Sequence, residues 1–134
     1  MDKLILEIVT PERRVVREEV DEVVCPGIEG EFGVLPGHTP FLTALKIGEL
    51  NYRIGEQRKY IAITWGYAEV DHDRVEILAD MAETAEEIDL RRAEEAKAKA
   101  ESKLRGGTPE EVEFEQAQVS LEKAVIRIQV AGKK

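Results

Sequence analysis

The residues best able to do chemistry in this chain are few: two histidines, His38 and His72, one cysteine, Cys25, and the serines Ser102 and Ser120. A catalytic nucleophile needs an adjacent base or a cationic setting that lowers its pKa, and none of these has one. His72 stands between Asp71 and Asp73 in a turn-forming stretch, where a solvated turn side chain is the simplest role. Cys25 precedes Pro26-Gly27 at the end of an apolar run, the setting of a small buried side chain. A lone cysteine makes no internal disulfide and completes no zinc site. Ser102 and Ser120 lie in helix-forming sequence, far from the strand-turn-helix context of a nucleophile elbow. Gly106-Gly107-Thr108-Pro109 lacks the Gly-Lys-Ser/Thr ending of a phosphate-binding loop and joins helix to helix. The chain therefore reads as a binding or regulatory part and not as an enzyme.

At 134 residues, with 43% hydrophobic and 35% charged side chains, there is room for one modest core and an appendage. The opening Met1-Asp2-Lys3 runs straight into Leu4-Ile5-Leu6 without the pattern of a secretory signal, so a cytosolic face is expected. The net charge of −9 is unevenly placed: residues 1–86 carry 18 acidic and 9 basic side chains, residues 87–134 carry 10 of each. An acidic first part repels nucleic-acid phosphates and suits a basic protein partner.

The elements that position these residues change type near residue 84. Six of seven aromatics (Phe32, Phe41, Tyr52, Tyr60, Trp65, Tyr67) and four of five prolines come before it. Short apolar runs separated by turn chemistry predict an all-β sandwich over 1–84, with strands at 3–9, 14–24, 31–35, 41–46, 49–54, 58–63, 66–71 and 74–79. Gly55-Glu56-Gln57 and Asp71-His72-Asp73 predict the two firmest hairpin turns. Alternation of Tyr67, Glu69 and Asp71 with Ala68 and Val70, and of Val75, Ile77 and Ala79 with Glu76, predicts one wet and one buried face.

Over 85–134 the period becomes helical, and an antiparallel two-helix hairpin is predicted. Its first helix begins either with Thr84 and Glu87 as a capping box or with Asp89 as N-cap. Leu90, Ala93, Ala100 and Leu104 form one stripe, and Phe114, Ala117, Leu121, Ala124 and Ile128, with Val125 beside them, form the other. Between them Gly106-Gly107 predicts a left-handed C-cap, Thr108 an N-cap, Pro109 the first helical position and Glu111 the third residue of a capping box. A seam made mostly of alanine stabilises docking weakly against the entropy of ordering, so a mobile element with a pivot at Gly106-Gly107 is expected.

Three glycines and two prolines within Gly30-Glu31-Phe32-Gly33-Val34-Leu35-Pro36-Gly37-His38-Thr39-Pro40 require special backbone geometry, a bulged strand and a tight turn beside an exposed loop. This string, followed by Leu42-Thr43-Ala44-Leu45 and Ile47-Gly48-Glu49-Leu50, closely resembles the epsilon subunit of bacterial F-type ATP synthases, called delta in mitochondria. The likeness continues through Val9-Thr10-Pro11, Ile61-Ala62, Gly66, Glu69-Val70, Ile77-Leu78-Ala79 and Ile88-Asp89-Leu90-Arg91-Arg92-Ala93.

The resemblance implies a rotor subunit at the cytoplasmic face of a bacterial membrane, peripheral and without membrane insertion. Its sandwich would hold the foot of the gamma subunit and meet the c-ring through Glu31 and His38, coupling proton-driven rotation to ATP synthesis. It also implies that the hairpin regulates hydrolysis, either folded on the sandwich or extended toward the catalytic beta and alpha subunits. ATP is implied as a regulatory ligand bound by the folded form, with Glu83, Asp89, Arg92, Lys99, Lys123 and Arg127 as the site. The spacing suits this: Arg92 and Lys99 are seven apart, and Lys123 and Arg127 four apart, so each pair shares a helix face. No base or held water accompanies them, so binding without hydrolysis is expected. Lysines at 99 and 123 lack the bidentate fork of arginine and imply weaker affinity. Helical cations also pair with neighbours, as the spacings of Arg91 with Glu95 and of Glu95 with Lys99 allow. The alternative is a passive adaptor of the same fold that binds one protein partner and no nucleotide.

Overall fold

The computed structural model describes residues 2–106 and 110–133. Eight strands precede two helices: β1 (Leu4–Val9), β2 (Arg14–Val20), β3 (Glu22–Gly27), β4 (Gly30–Val34), β5 (Phe41–Leu45), β6 (Gly48–Ile54), β7 (Gln57–Val70), β8 (Arg74–Thr84), α1 (Leu90–Arg105) and α2 (Glu111–Ala131). The pairing order is β2-β1-β8-β7-β5-β3-β4, and β6 bridges β7 and β3. All pairs are antiparallel except β1 with β8.

Strand alternation behaves as the sequence predicts where local chemistry decides it. Ala68, Val70, Val75, Ile77 and Ala79 point into a core that includes Leu4, Leu6, Ile8, Leu50, Ile61 and Ile63, and Tyr67 lies outside. The turns at Gly55-Glu56 and Asp71–Asp73 both close hairpins, the first between Ile54 and Gln57. Cys25 is fully buried, and desolvation pushes its thiol up to about 12, which keeps it protonated and inert.

Besides the run expected at 74–79, which continues to Thr84 as β8, three strand assignments change. The run expected at 14–24 is two strands that part at Asp21. Its carboxylate accepts from Lys3 and from the Gly55 amide at 2.7 Å, while its own amide donates to the Arg53 carbonyl at 2.8 Å. The Lys3 hydrogen bond, then the Gly55 amide, hold this carboxyl below its ordinary value. In the glycine-rich segment the register between β3 and β4 is continuous, so no bulge forms there. Ile28-Glu29 closes the hairpin with Gly30 at φ 139°, and Gly37 at φ 86° donates to the His72 carbonyl at 2.6 Å.

The third change matters most. The runs expected at 58–63 and 66–71 are one strand, β7, which pairs with β8 along both halves. On its other edge it pairs with β6 over residues 57–63 and with β5 over 66–70. The exchange of neighbours falls at Trp65 (φ 44°) and Gly66 (φ 150°), where the strand bends. A Cβ at Gly66 would lie 1.9 Å from the Leu78 carbonyl oxygen, so only glycine fits.

The link to the helices uses both predicted caps. The Thr84 amide donates to Glu87 Oε1 at 3.0 Å and the Glu87 amide to Thr84 Oγ1 at 3.3 Å, closing the turn before the helix. Asp89 then caps α1, accepting from the Arg92 amide at 3.1 Å. Arg13, in the turn after β1, reaches Glu87 at 2.7 Å and clasps the link to the sandwich. That hydrogen bond is the largest cause holding the Glu87 carboxyl below its ordinary value.

Between the helices, Ala93, Ala100, Ala117 and Ala124 are buried, but Leu90 and Phe114 of the predicted stripes are 43% and 40% exposed. Small residues let the backbones approach closely, which leaves the larger ones beside the seam. Each buried methyl contributes only about 0.8 kcal/mol. Gly106, at φ −80°, is not left-handed; Gly107, Thr108 and Pro109, to which the remaining cap assignments apply, lie outside the described residues. Glu111 opens α2 instead of standing third in it. No helix among the described residues is long and apolar enough to cross a membrane.

Two measurements check this account. Gly66→Ala should lower unfolding stability by at least about 2 kcal/mol in urea titrations, because strain and a backbone clash coincide; a neutral substitution would contradict the bend. Because the folded pKa of Glu87 is depressed, its clasp stabilises above the ordinary carboxyl value of 4.5 and is lost as pH falls through the folded value. The gap in urea midpoint between the parent chain and Arg13→Ala should therefore be present at pH 7 and close as the pH is taken progressively below 4.5.

Candidate functional site

The outer face of the sheet where β6, β7 and β8 run side by side carries the row Glu49, Ala62 and Glu83, each directly opposite the next across the strands. The small side chain in the middle leaves a shallow trough between two carboxylates. Into it comes the C-terminal part of α2: Val130, Ala131 and the half-buried Ile126 pack with Ala62, Ala85, Ile88 and Tyr60. The approach is made chiefly by α2, the helix in contact with β6, β7 and β8.

Polar contacts flank this apolar centre. Arg127 donates through Nε to Glu83 Oε1 at 2.7 Å and through Nη2 to Oε2 at 3.2 Å, a bidentate pair with both side chains about one-quarter exposed. On the far side, Glu49 Oε1 accepts from Lys133 Nζ at 2.8 Å and from Gln129 Nε2 at 3.1 Å. Two cations also lie over aromatic faces: Lys123 Nζ is 4.9 Å from the Trp65 ring centre and Lys133 Nζ 4.8 Å from that of Tyr60. Trp65 is thereby held under α2 by the same left-handed turn that bends β7.

Of the six residues implied as a nucleotide site, the structure joins Glu83 directly to Arg127. Lys99 and Lys123 line one open cleft of about 1180 Å³ between α1 and α2, together with Trp65, Lys103, Ser102 and Ser120. Asp89 spends one carboxylate oxygen on capping α1. Arg92 is exposed and makes no ion pair among the described residues; Arg91 pairs with Glu95 at 3.1 Å, whereas the Glu95–Lys99 pair that the spacing allowed is absent among them. Glu49, Tyr60, Trp65 and Lys133 carry no sequence signal for this role, since their partners are distant in the chain and meet only on docking.

The implied c-ring residues lie elsewhere. Glu31 is exposed on β4, opposite Pro26. His38 sits in the loop after β4 with Nδ1 2.6 Å from the Thr39 carbonyl, beside Phe41, whose ring meets Phe32 edge-on at 5.3 Å. Ile28, Leu35 and Leu42 are exposed as well.

Comparison with known proteins accounts for both parts. Residues 3–85 match the family model of the ATP synthase delta/epsilon chain beta-sandwich domain, and residues 86–132 that of its long alpha-helix domain. The chain is 54% identical to the ATP synthase epsilon chain of Citrifermentans bemidjiense over 98% of its own length and 96% of the relative's. It is 51% identical to that of Geobacter metallireducens with the same coverage. Among solved structures, a chain of the Euglena gracilis mitochondrial ATP synthase complex of OSCP, F1 and c-ring superposes with a TM-score of 0.84 at 27% identity, covering 98% of this chain and 82% of that one. A chain of the Tetrahymena thermophila central stalk and c-ring shares the fold at a TM-score of 0.58 and 15% identity. With both halves matched in order and close relatives aligned from end to end, the chain belongs to the ATP synthase delta/epsilon family.

Proposed function

We infer that this non-catalytic stalk subunit joins the gamma subunit to the c-ring in a proton-driven ATP synthase, and that its helical pair restrains ATP hydrolysis when it leaves the sheet. The observation that carries this reading is the narrowness of the docking: a few small side chains at the end of α2, flanked by exchangeable ion pairs, hold two helices to the sandwich. A contact of that size is reversible. Glu31 and His38, with the exposed apolar residues near them, supply the surface for the c-ring. The Euglena neighbour, solved together with a c-ring, supports association with such a ring. The membrane face on which the complex sits is the cytoplasmic one under the same reading.

ATP is the proposed regulatory ligand of the docked form. Arg92, Lys99, Lys123 and Arg127 would meet the phosphates and Asp89 the nucleoside donors. A ligand that binds only the docked form shifts the population toward it by its differential affinity. The described groups offer no general base aimed at a phosphate, so ATP would be sensed and not consumed.

Two experiments test the reading. With Ala62→Cys and Ala131→Cys introduced, positions that share one buried cluster, oxidation should tether the hairpin. The assembled synthase should then hydrolyse ATP severalfold faster than after reduction, and equal rates would refute the restraint. Calorimetric titration of the chain with ATP, with and without magnesium, should show binding that Arg92→Ala weakens tenfold or more, the loss of about one charge-assisted contact. An absence of heat in the parent chain would leave the passive adaptor as the better description.

A further inference from the structure

The core face of β2 carries one residue out of keeping with its neighbours. From Val16 to Val20 the strand keeps a regular register with β1: Val16 stands opposite Ile8, Glu18 opposite Leu6 and Val20 opposite Leu4. All of these are buried except Glu18, which is half-buried. Its Oε2 is buried without a hydrogen-bond partner among the described residues. Burial, followed by the hydrogen bond with Glu18, pushes the facing Tyr52 phenol above its ordinary value. The carboxyl borders an open cavity of about 290 Å³ at the margin of the sandwich, walled by Val16 and Glu18 on β2 and by Tyr52, Lys59 and Thr84 across from them. A valine at this position would complete the apolar row, and a carboxylate within such a row costs stability. The stability of the fold therefore does not account for Glu18.

β2 is also a sheet edge. It lies at one end of the pairing order, and no strand among the described residues pairs with its far side. β4, at the other end, is five residues long with two glycines, whereas β2 has seven residues and neither glycine nor proline. An edge of that length is a template for another strand. A second copy of β2 fits it well: in an antiparallel pair with its two-fold axis at Glu18, Val16 would face Val20 of the second copy on the core side, and Arg17 would face Glu19 on the outer side. Both pairings are favourable. The central one is not, because Glu18 would stand opposite Glu18 on the core side, with the added strand covering the cavity through which the carboxyl meets water. We propose that Glu18 guards the free edge of β2 against strand addition by a second copy of this chain. The charge is tolerated while the edge is open to water and becomes prohibitive once the edge is paired. The guard is independent of any nucleotide and of any movement of the hairpin.

Sedimentation equilibrium of the full chain tests the guard. Across one concentration series the parent chain should keep the mass of a single copy, and Glu18→Val should move toward the mass of two. In the variant, amide hydrogen exchange over residues 16–20 should slow severalfold as concentration rises, because new strand hydrogen bonds form there. Glu18→Lys, which keeps an inward charge of the opposite sign, should remain a single copy. Glu18→Thr, which keeps an oxygen beside Tyr52 without the charge, should associate as the valine variant does, and it decides the matter if the valine variant does not fold. Uncharged variants that stay monomeric throughout would overturn the guard. So would association of Glu18→Lys to the same extent, a parent chain that already dimerises through residues 16–20, or association of the uncharged variants without slower exchange there.

Discussion

The placement of the helices depends on a row of three residues across three strands, with an alanine between two carboxylates. Ala62 lets α2 approach the sheet, and Glu49 and Glu83 make the approach selective by holding cations at either end. Apolar contact alone would be weak and indifferent to register, because three of its five buried members are alanines. The ion pairs fix register, since a shift of α2 by one turn would withdraw Arg127 from Glu83 and Lys133 from Glu49 together. Partly exposed pairs of this kind stabilise modestly. Register is thus specified strongly while docking stays shallow.

The link between the two parts shows the same economy. Thr84 and Glu87 close a turn, Asp89 caps α1, and Arg13 ties Glu87 back to the turn after β1. The helix start is therefore fixed by the chain immediately before it and by one sandwich residue, independently of where α2 lies. A hairpin that undocks from the trough keeps a defined root.

What the residues disclose in advance is what short-range chemistry decides. Gly55-Glu56 and Asp71–Asp73 close hairpins because turn geometry is local, and the alternation around Ala68 and Ile77 follows the pleat. The break at Asp21 was hidden because no glycine or proline marks it; Lys3 and Gly55, distant in sequence, hold it. The continuity of β7 was hidden for the converse reason, since Gly66 resembles a terminator and serves as a bend. At the candidate site, the capping role of Asp89 was legible because a helix N-cap is local chemistry. The pairing of Glu83 with Arg127, 44 residues apart, and the seat of Lys123 on Trp65 appear only once α2 lies on the sheet.

The bend at Trp65-Gly66 also has a mechanical meaning. The half of β7 before it carries the trough in which α2 rests, and the half after it lies beside the outward Leu42, Tyr67 and Leu78. A pull on the β5 end of the strand therefore reaches its β6 end through an unbroken covalent strand, hydrogen-bonded to β8 along both halves, and not only through side chains that can slip. That strand works as a torsion bar: a load taken up beside β5 is felt at the seat of the hairpin beside β6.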